Sequence, residues 1–207
     1  LVEMDLSSNL LCRWTDIAAL GAGAPKLHTL NLSGNAMAHP TPADAATLAA
    51  TPLAKLRVLV LSGCGITVAD FLALRPATAF PALTELHLAN NCIRRIQTTD
   101  SGGVTAGETA ASKEADREAA QALAAALPRL AALNLSGNAL TSWADVWRLC
   151  RLPCLRRLIL AGNALTEAAY GPSLAAAWPL PAELPRLRHR LPTSPLLRIS
   201  PLRLSIR

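Results

Sequence analysis

An eleven-residue phrase occurs six times in this sequence of 207 residues. Each copy follows Leu-x-x-Leu-x-Leu-x-x-Asn/Cys-x and ends in an apolar residue, with Met4 in place of the second leucine in the first copy. The copies begin at Leu1, Leu27, Leu56, Leu83, Leu130 and Leu155. Within a copy, leucines alternate with variable residues, which predicts a short strand that is buried on one side only. A single strand of this length cannot bury its inner side alone, so the copies have to stack side by side.

The spacing and the pattern of the copies define the fold. Stacked copies of this kind form a leucine-rich-repeat solenoid, an α/β horseshoe with parallel strands on the concave face and short helices on the convex face. The linking segments fit helices, because Thr15, Thr67 and Ser142 each stand where a hydroxyl could cap a first helical turn. We expect the three tryptophans near these starts to pack the helices onto the leucine core.

The predicted organisation has four parts. Repeats one to four occupy residues 1–96, and a polar, glycine-bearing run at 97–111 predicts a flexible insert. Ser112 then predicts the cap of a helix, which with repeats five and six fills residues 112–170. The last segment, 171–207, is rich in proline and arginine and predicts a disordered tail. The chain starts on a repeat without a methionine, so we expect it to be part of a longer protein.

Two sets of positions recur in every copy. The Asn/Cys position predicts a structural ladder in which a buried side chain satisfies the backbone of the turn. The ladder residues are Asn9, Asn35, Cys64, Asn91, Asn138 and Asn163. The outward strand positions predict a partner-binding concave face. Its candidate residues are Glu3, Asp5, Asn31, Val60, Glu85, His87, Asn134 and Arg157. This face is acidic at its first end, small and mildly apolar in the middle, and basic at its last end, where Arg156 and Arg157 are adjacent.

Charge and composition argue for a protein partner. The formal net charge is +6, but the whole excess lies in arginines beyond residue 184. A nucleic-acid surface needs a continuous positive stripe and stacking aromatics, and the chain has one Tyr and two Phe. Nucleic acid is therefore an unlikely partner, although the arginine-rich tail keeps a nuclear RNA-associated repeat protein as one alternative.

Neither catalysis nor a cofactor is predicted. The sequence lacks phosphate-binding glycine loops, zinc-protease helices and nucleophile elbows, and its histidines are dispersed. The five cysteines follow no common zinc spacing, so no metal site is expected and reduced thiols in a cytosolic core are the expectation. No apolar stretch has the length of a membrane span. We therefore expect a cytoplasmic binding protein that is not an enzyme and has no membrane association.

The segments between the copies carry a more specific signal. The runs MDLSSNLLCRWTDIAAL, LRVLVLSGCGITVADFLAL and LNLSGNALTSWADVWRLCRLPCLRRLILAGNALTE, in this order, resemble the leucine-rich-repeat domain of tubulin-folding cofactor E. The resemblance covers about residues 1–168. It implies a cytoplasmic, cytoskeleton-associated chaperone domain that binds α-tubulin and, with tubulin-folding cofactors C and D, assists assembly of the α/β-tubulin heterodimer. It also implies a glycine-rich domain before the repeats and a ubiquitin-like domain after them.

A second reading is a generic intracellular leucine-rich-repeat adaptor with no role in tubulin folding. Relatives of a phosphatase regulator and of an axonemal dynein light chain are the examples. Their repeats are shorter and more regular, and they lack the Gly-Ile-Thr phrase and acidic helix that follow the third strand here.

Overall fold

The computed structural model describes residues 1–96, 110–165, 197–199 and 202–205. The strands are β1 (Glu3–Asp5), β2 (Thr29–Asn31), β3 (Val58–Val60), β4 (Glu85–His87), β5 (Ala132–Asn134), β6 (Arg157–Ile159), β7 (Leu197–Ile199) and β8 (Leu202–Ser205). The helices are α1 (Trp14–Gly23), α2 (Pro42–Ala50), α3 (Val68–Ala73), α4 (Pro76–Ala79), α5 (Ala110–Ala126) and α6 (Trp143–Cys150).

The first six strands form one parallel sheet in chain order. Each strand occupies the third to fifth residues of one copy of the repeat, and the copies align without a register shift. The central residue of each strand points into the core, so that Leu30, Leu59 and Leu158 are all completely buried. Helices α1, α2, α4, α5 and α6 follow one another as packed neighbours. The predicted leucine-rich-repeat solenoid is therefore confirmed.

One continuous apolar core joins the strands to the helices. Full burial of a leucine contributes about 2 kcal/mol, so stability accumulates repeat by repeat. Trp14 is 1 % exposed and its indole Nε1 donates to the carbonyl oxygen of Ala38 at 2.8 Å. Phe71 and Phe80 stack with their ring centroids 6.1 Å apart. Trp14 thus packs α1 onto the core while its polar atom bonds to the loop of the next repeat.

Helix starts follow the predicted hydroxyl caps only in part. Thr67 caps α3 through a capping box with Asp70, as predicted. The prediction for Thr15 is wrong, because α1 begins one residue earlier, after Arg13, without a side-chain cap. Ser142 precedes α6 but makes no capping hydrogen bond. A cap that the sequence interpretation missed is Thr41, which forms a capping box at the start of α2.

Parts of the predicted insert and of the predicted tail lie among the described residues. Helix α5 begins at Ala110, so Ser112 lies inside the helix and is not its cap. Residues 97–109 of the predicted insert lie outside the described residues. Within the predicted disordered tail, β8 pairs in parallel with β6, and β7 pairs antiparallel with β8. The edge of β6 offers unpaired backbone groups, and β8 pairs with them. The rest of the tail lies outside the description.

Candidate functional site

The face of the sheet turned away from the core carries two rows of side chains, and we call it the open face. The first row consists of Glu3, Thr29, Val58, Glu85, Ala132 and Arg157. The second row consists of Asp5, Asn31, Val60, His87, Asn134 and Ile159. All of these residues except Ala132 are at least partly exposed. The structure thus places every predicted concave-face residue on one surface.

An ion pair occupies the last third of the open face. Arg157 Nη2 donates to Glu85 Oε1 at 2.5 Å, although β5 separates their two strands. The arginine side chain therefore crosses Ala132, the small residue between them, which is 8 % exposed. The expectation of a basic last end needs correction here, because the Arg157 charge is neutralised by Glu85. An alanine at this position allows the pair to form.

Two further polar contacts extend this cluster. His87 Nε2 lies 3.9 Å from Glu85 Oε2, and His87 Nδ1 lies 3.5 Å from Asn134 Nδ2. The cluster of Glu85, His87, Asn134 and Arg157 thus presents donors and acceptors from three adjacent strands. Arg157 keeps half of its side chain exposed. Such a surface can accept hydrogen bonds from a partner and donate to it, with little net charge.

The first end of the open face keeps its acidic character. Glu3 and Asp5 are both exposed on β1. Ser7 donates its backbone N–H to Asp5 Oδ1 at 2.9 Å, and hydrogen bonds from Ser7 hold the pKa of Asp5 below its ordinary value of 3.8. The carboxylate is therefore charged throughout the neutral range. Asn31 on the neighbouring strand accepts the N–H of Ser33 in the same way.

The middle of the open face is apolar. Val58 and Val60 on β3 are partly exposed and lie between the acidic first end and the Glu85 cluster. Their branched side chains stand on a rigid strand, so they offer a preformed apolar contact to a partner. The open face is thus ordered along the sheet as carboxylates, valines and a neutralised polar cluster.

The turn ladder lies at the ends of the strands, inside the structure. Asn138 Oδ1 accepts the N–H groups of Asn91 and Ile93, and its Nδ2 donates to the carbonyls of Leu88 and Leu135. Asn35 and Asn91 are also buried and bridge neighbouring repeats in the same manner. Asn163 is partly exposed, and Asn9 is exposed because β1 lies at the edge of the sheet.

Cys64 takes the ladder position in the third repeat with a different bond. Its Sγ donates to the carbonyl oxygen of Leu32 at 3.1 Å, and burial raises the pKa of the thiol above its ordinary value. The thiol is therefore protonated and donates, as the asparagine amide does in other repeats. Cys150 is similar, since burial raises its pKa to about 11.

Sequence interpretation missed the residue just before each ladder position. This residue has a positive φ in every repeat: Ser8, Gly34, Gly63, Asn90, Gly137 and Gly162. A left-handed conformation suits glycine because other residues suffer a Cβ clash there. At Gly137 an added Cβ would lie 1.9 Å from Asn90 Oδ1 of the preceding repeat. The glycine of the Leu-Ser-Gly-Asn phrase was the available signal.

The described part of the chain contains neither a metal-binding cluster nor a helix that could span a membrane. No group of three or more His, Cys, Asp or Glu side chains there could hold a metal ion. None of the helices among those residues combines the length and the apolar character required to cross a bilayer.

Comparison with known proteins identifies relatives of this chain by sequence. No family profile matches the sequence. The chain is 35 % identical over 154 residues to tubulin-folding cofactor E of Arabidopsis thaliana, an alignment that covers 74 % of this chain and 24 % of the relative. It is 33 % and 34 % identical to tubulin-specific chaperone E of Bos taurus and Homo sapiens, over 68 % of this chain and 26 % of each relative. The chain thus spans about a quarter of the length of these curated relatives.

Solved structures show a more distant likeness. One is the TLR13-ssRNA13 complex, with a TM-score of 0.49 and 23 % identity, which covers 80 % of this chain and 20 % of that chain. Another is human 5T4, a trophoblast glycoprotein, with a TM-score of 0.42 and 20 % identity over 79 % of this chain and 60 % of that chain. The fold assignment rests on the register and packing described above.

Proposed function

We propose that this chain, a sequence relative of the tubulin-folding cofactor E proteins, is a protein-binding repeat unit whose partner is α-tubulin. The observation that carries the proposal is the 35 % identity to the Arabidopsis cofactor, which extends over 154 residues and hence over more than one repeat. The predicted resemblance, which rested on the segments between the copies, is confirmed by these relatives. The proposal assigns binding to the chain and no chemical reaction.

The open face is the surface that we assign to α-tubulin. It is rigid, because every strand is held in the parallel ladder, and its three chemical zones give a partner distinct contacts. Exposed carboxylates at Glu3 and Asp5 would attract basic side chains, and Val58 and Val60 would contact apolar ones. The Glu85 cluster would supply hydrogen bonds. A partner that matches all three zones would be selected over one that matches a single zone.

Assembly of the α/β-tubulin heterodimer with tubulin-folding cofactors C and D belongs to the same proposal. So do a cytoplasmic location and association with the cytoskeleton. The support is the chaperone name of the relatives, of which this chain spans about a quarter. Binding by this chain would therefore be one step in a longer process.

Retention of tubulin by the immobilised chain tests the proposal. The full chain should retain α-tubulin in preference to β-tubulin. Val60→Arg, which places a charge in the middle of the open face, should weaken retention about tenfold. Ala46→Arg adds the same charge on the exposed side of α2 and is the matched control.

Two outcomes would contradict the proposal. If the unmodified chain retains neither tubulin, the cofactor assignment is wrong and the adaptor alternative stands. If Val60→Arg and Ala46→Arg weaken retention equally, the binding surface is not the open face.

A further inference from the structure

The described structure has a second charged surface, along the edge of the sheet where the strands begin. We call it the strand-start edge, and it is formed by the turns that lead from each helix into the next strand. Its exposed cationic residues include Lys26, Lys55, Arg57, Arg129 and Arg156. The segments that lead to this edge contain no Asp or Glu: residues 17–28, 45–58, 71–84, 119–132 and 146–157. The carboxylates of the described repeats lie on the strands, in the first turns of the helices or, for Glu118, in the middle of α5.

Stacking of the repeats aligns these cations. Lys26, Lys55 and Arg129 occupy the same position of the turn in repeats two, three and five. Arg57 and Arg156 occupy a second shared position, where each backbone N–H donates to the carbonyl of the preceding repeat at 2.8 Å. Successive strands in a sheet are about 4.8 Å apart, so the cations form a band along the edge.

The cations of this band are available to a partner. None of the five forms an ion pair with any other residue that the structure describes. Arg13, which lies near a helix start, is instead paired with Asp16 at 2.9 Å. A band of like charges with no internal partners raises the local concentration of anionic groups and steers their approach.

An apolar pocket of about 240 Å³ opens on the same edge. It lies between the turn after α1 and the turn after α2, and its aliphatic lining includes Leu27, Leu53 and Pro52. Lys55 also lines the pocket, and Lys26 follows Pro25, which is part of the wall. The two repeats pack closely at the pocket because residue 21 is glycine: a Cβ there would lie 2.8 Å from Leu53 Cγ. The pocket can receive one apolar side chain between two cations.

From these observations we infer that the strand-start edge binds an acidic polypeptide segment that inserts one apolar side chain between Lys26 and Lys55. An acidic peptide fits better than nucleic acid. The band is interrupted by Ala82 and Cys154 at the shared turn position, whereas a phosphate backbone requires continuous neutralisation. Trp14 and Phe80 are buried and give nucleobases no stacking platform. The inference is independent of the tubulin proposal, because this edge is distinct from the open face.

Fluorescence anisotropy with a defined probe tests the inference. The probe is a labelled peptide of alternating Glu and Gly with one central Leu, titrated with the full chain at low and at physiological salt. Lys26→Gln/Lys55→Gln should weaken binding about fivefold, and salt should weaken it further. Arg94→Gln/Arg95→Gln removes the same charge from exposed residues beyond the strand ends, and should leave the affinity unchanged.

A second pair of measurements tests the pocket. Replacement of the central Leu of the probe by Ser should weaken binding about fivefold. Ala54→Leu fills the pocket without a change of charge, so it should abolish the difference between the Leu and the Ser probe.

Three results would overturn the inference. One is equal affinity of the two double variants, since binding would then depend on net charge or on another surface and not on Lys26 and Lys55. Another is equal binding of the Leu and Ser probes to the unmodified chain. The third is tighter binding of a labelled oligouridine than of the peptide, with the same dependence on Lys26 and Lys55, which would assign the edge to nucleic acid. The peptide titrations and the tubulin-retention measurements are independent, so failure of one proposal can be told from failure of the other.

Discussion

The turn ladder and the open face occupy equivalent positions in every repeat, yet only the ladder is chemically uniform. Five asparagines and one cysteine form the ladder, while the second row of the open face contains carboxylate, amide, imidazole and aliphatic side chains. Each buried ladder asparagine bonds to backbone groups of two repeats. The open-face side chains instead accept one backbone N–H of their own repeat, as Asp5, Asn31 and Asn134 do, or bond to each other. A position with several backbone partners permits few residues, whereas an open-face position can vary in chemistry without loss of the fold.

Replacement of one asparagine in each region should give the largest difference in the free energy of unfolding. Asn138→Leu leaves two N–H groups and the Leu88 carbonyl without their partner inside the protein, while the Leu135 carbonyl keeps the bond from Asn163. The change should lower the free energy of unfolding by about 3 to 5 kcal/mol. Asn134→Leu, on the open face of the same repeat, removes one backbone hydrogen bond and should cost below about 1 kcal/mol. Urea denaturation measures both. Equal losses would mean that the ladder is not a special structural element.

Two of the glycines that precede ladder positions differ in how closely they approach the neighbouring repeat, and their replacement measures the effect of that contact on stability. Gly137→Ala combines a left-handed backbone with a Cβ that displaces the Asn90 side chain, and we expect a loss of about 2 to 3 kcal/mol. Gly63→Ala meets no atom closer than 3.9 Å, so only the backbone cost of about 1 kcal/mol should remain. The two variants share the turn type, and their difference in thermal unfolding isolates the contact between repeats. No difference would show that Asn90 moves freely.

A carboxylate at a helix start should give stability a pH dependence. The pKa of Asp70 is lowered below its ordinary value of 3.8: burial opposes this, but hydrogen bonds from Thr67 and His39 outweigh it. A lowered folded pKa means that the contribution is present above 3.8 and is lost as the pH falls through the lower folded value. Asp70→Asn should therefore cost about 1 kcal/mol at neutral pH and nothing in strong acid. A pH-independent difference between variant and parent would argue against this cause.

The smallest change in the free energy of unfolding is expected when the ion pair of the open face is broken. Arg157→Gln breaks the bond to Glu85, but the arginine is 50 % exposed and water replaces the contact. We expect a change below about 0.5 kcal/mol in the free energy of unfolding. Thermal melts in low and high salt would measure it. A loss comparable to that of Asn138→Leu would place Arg157 among the structural residues and remove it from the candidate binding surface.

Much of the fold could be predicted because the repeat encodes it locally. Alternating leucines assign Leu30 to the core and Asn31 to the open face without reference to other repeats. Helix caps were predicted less well. Thr67 is followed three residues later by Asp70, which completes a capping box, whereas Thr15 has no such partner and lies inside α1. Ser142 also has an acidic residue three positions later, Asp145, yet makes no capping hydrogen bond. Neither the hydroxyl nor the pair of residue types is therefore sufficient to predict a cap.

Contacts between distant repeats could not be predicted from the pattern. Arg157 and Glu85 are 72 residues apart, and their pairing depends on the small size of Ala132 between them. The strand-start edge is similar, since Lys26 and Lys55 become neighbours only when their repeats stack. Net charge gave no indication of this edge, because the first 184 residues contain equal numbers of acidic and basic side chains.

The sequence by itself determined the repeat, the inward and outward positions of each strand, the ladder residues and the relationship to tubulin-folding cofactors. Periodicity and short phrases carry that information because they act over a few residues. The tertiary structure decided which charges are neutralised, where cations align and where a pocket opens. These properties depend on distances across the stack, which arise from the register of β1 to β6 and from the packing of side chains between repeats.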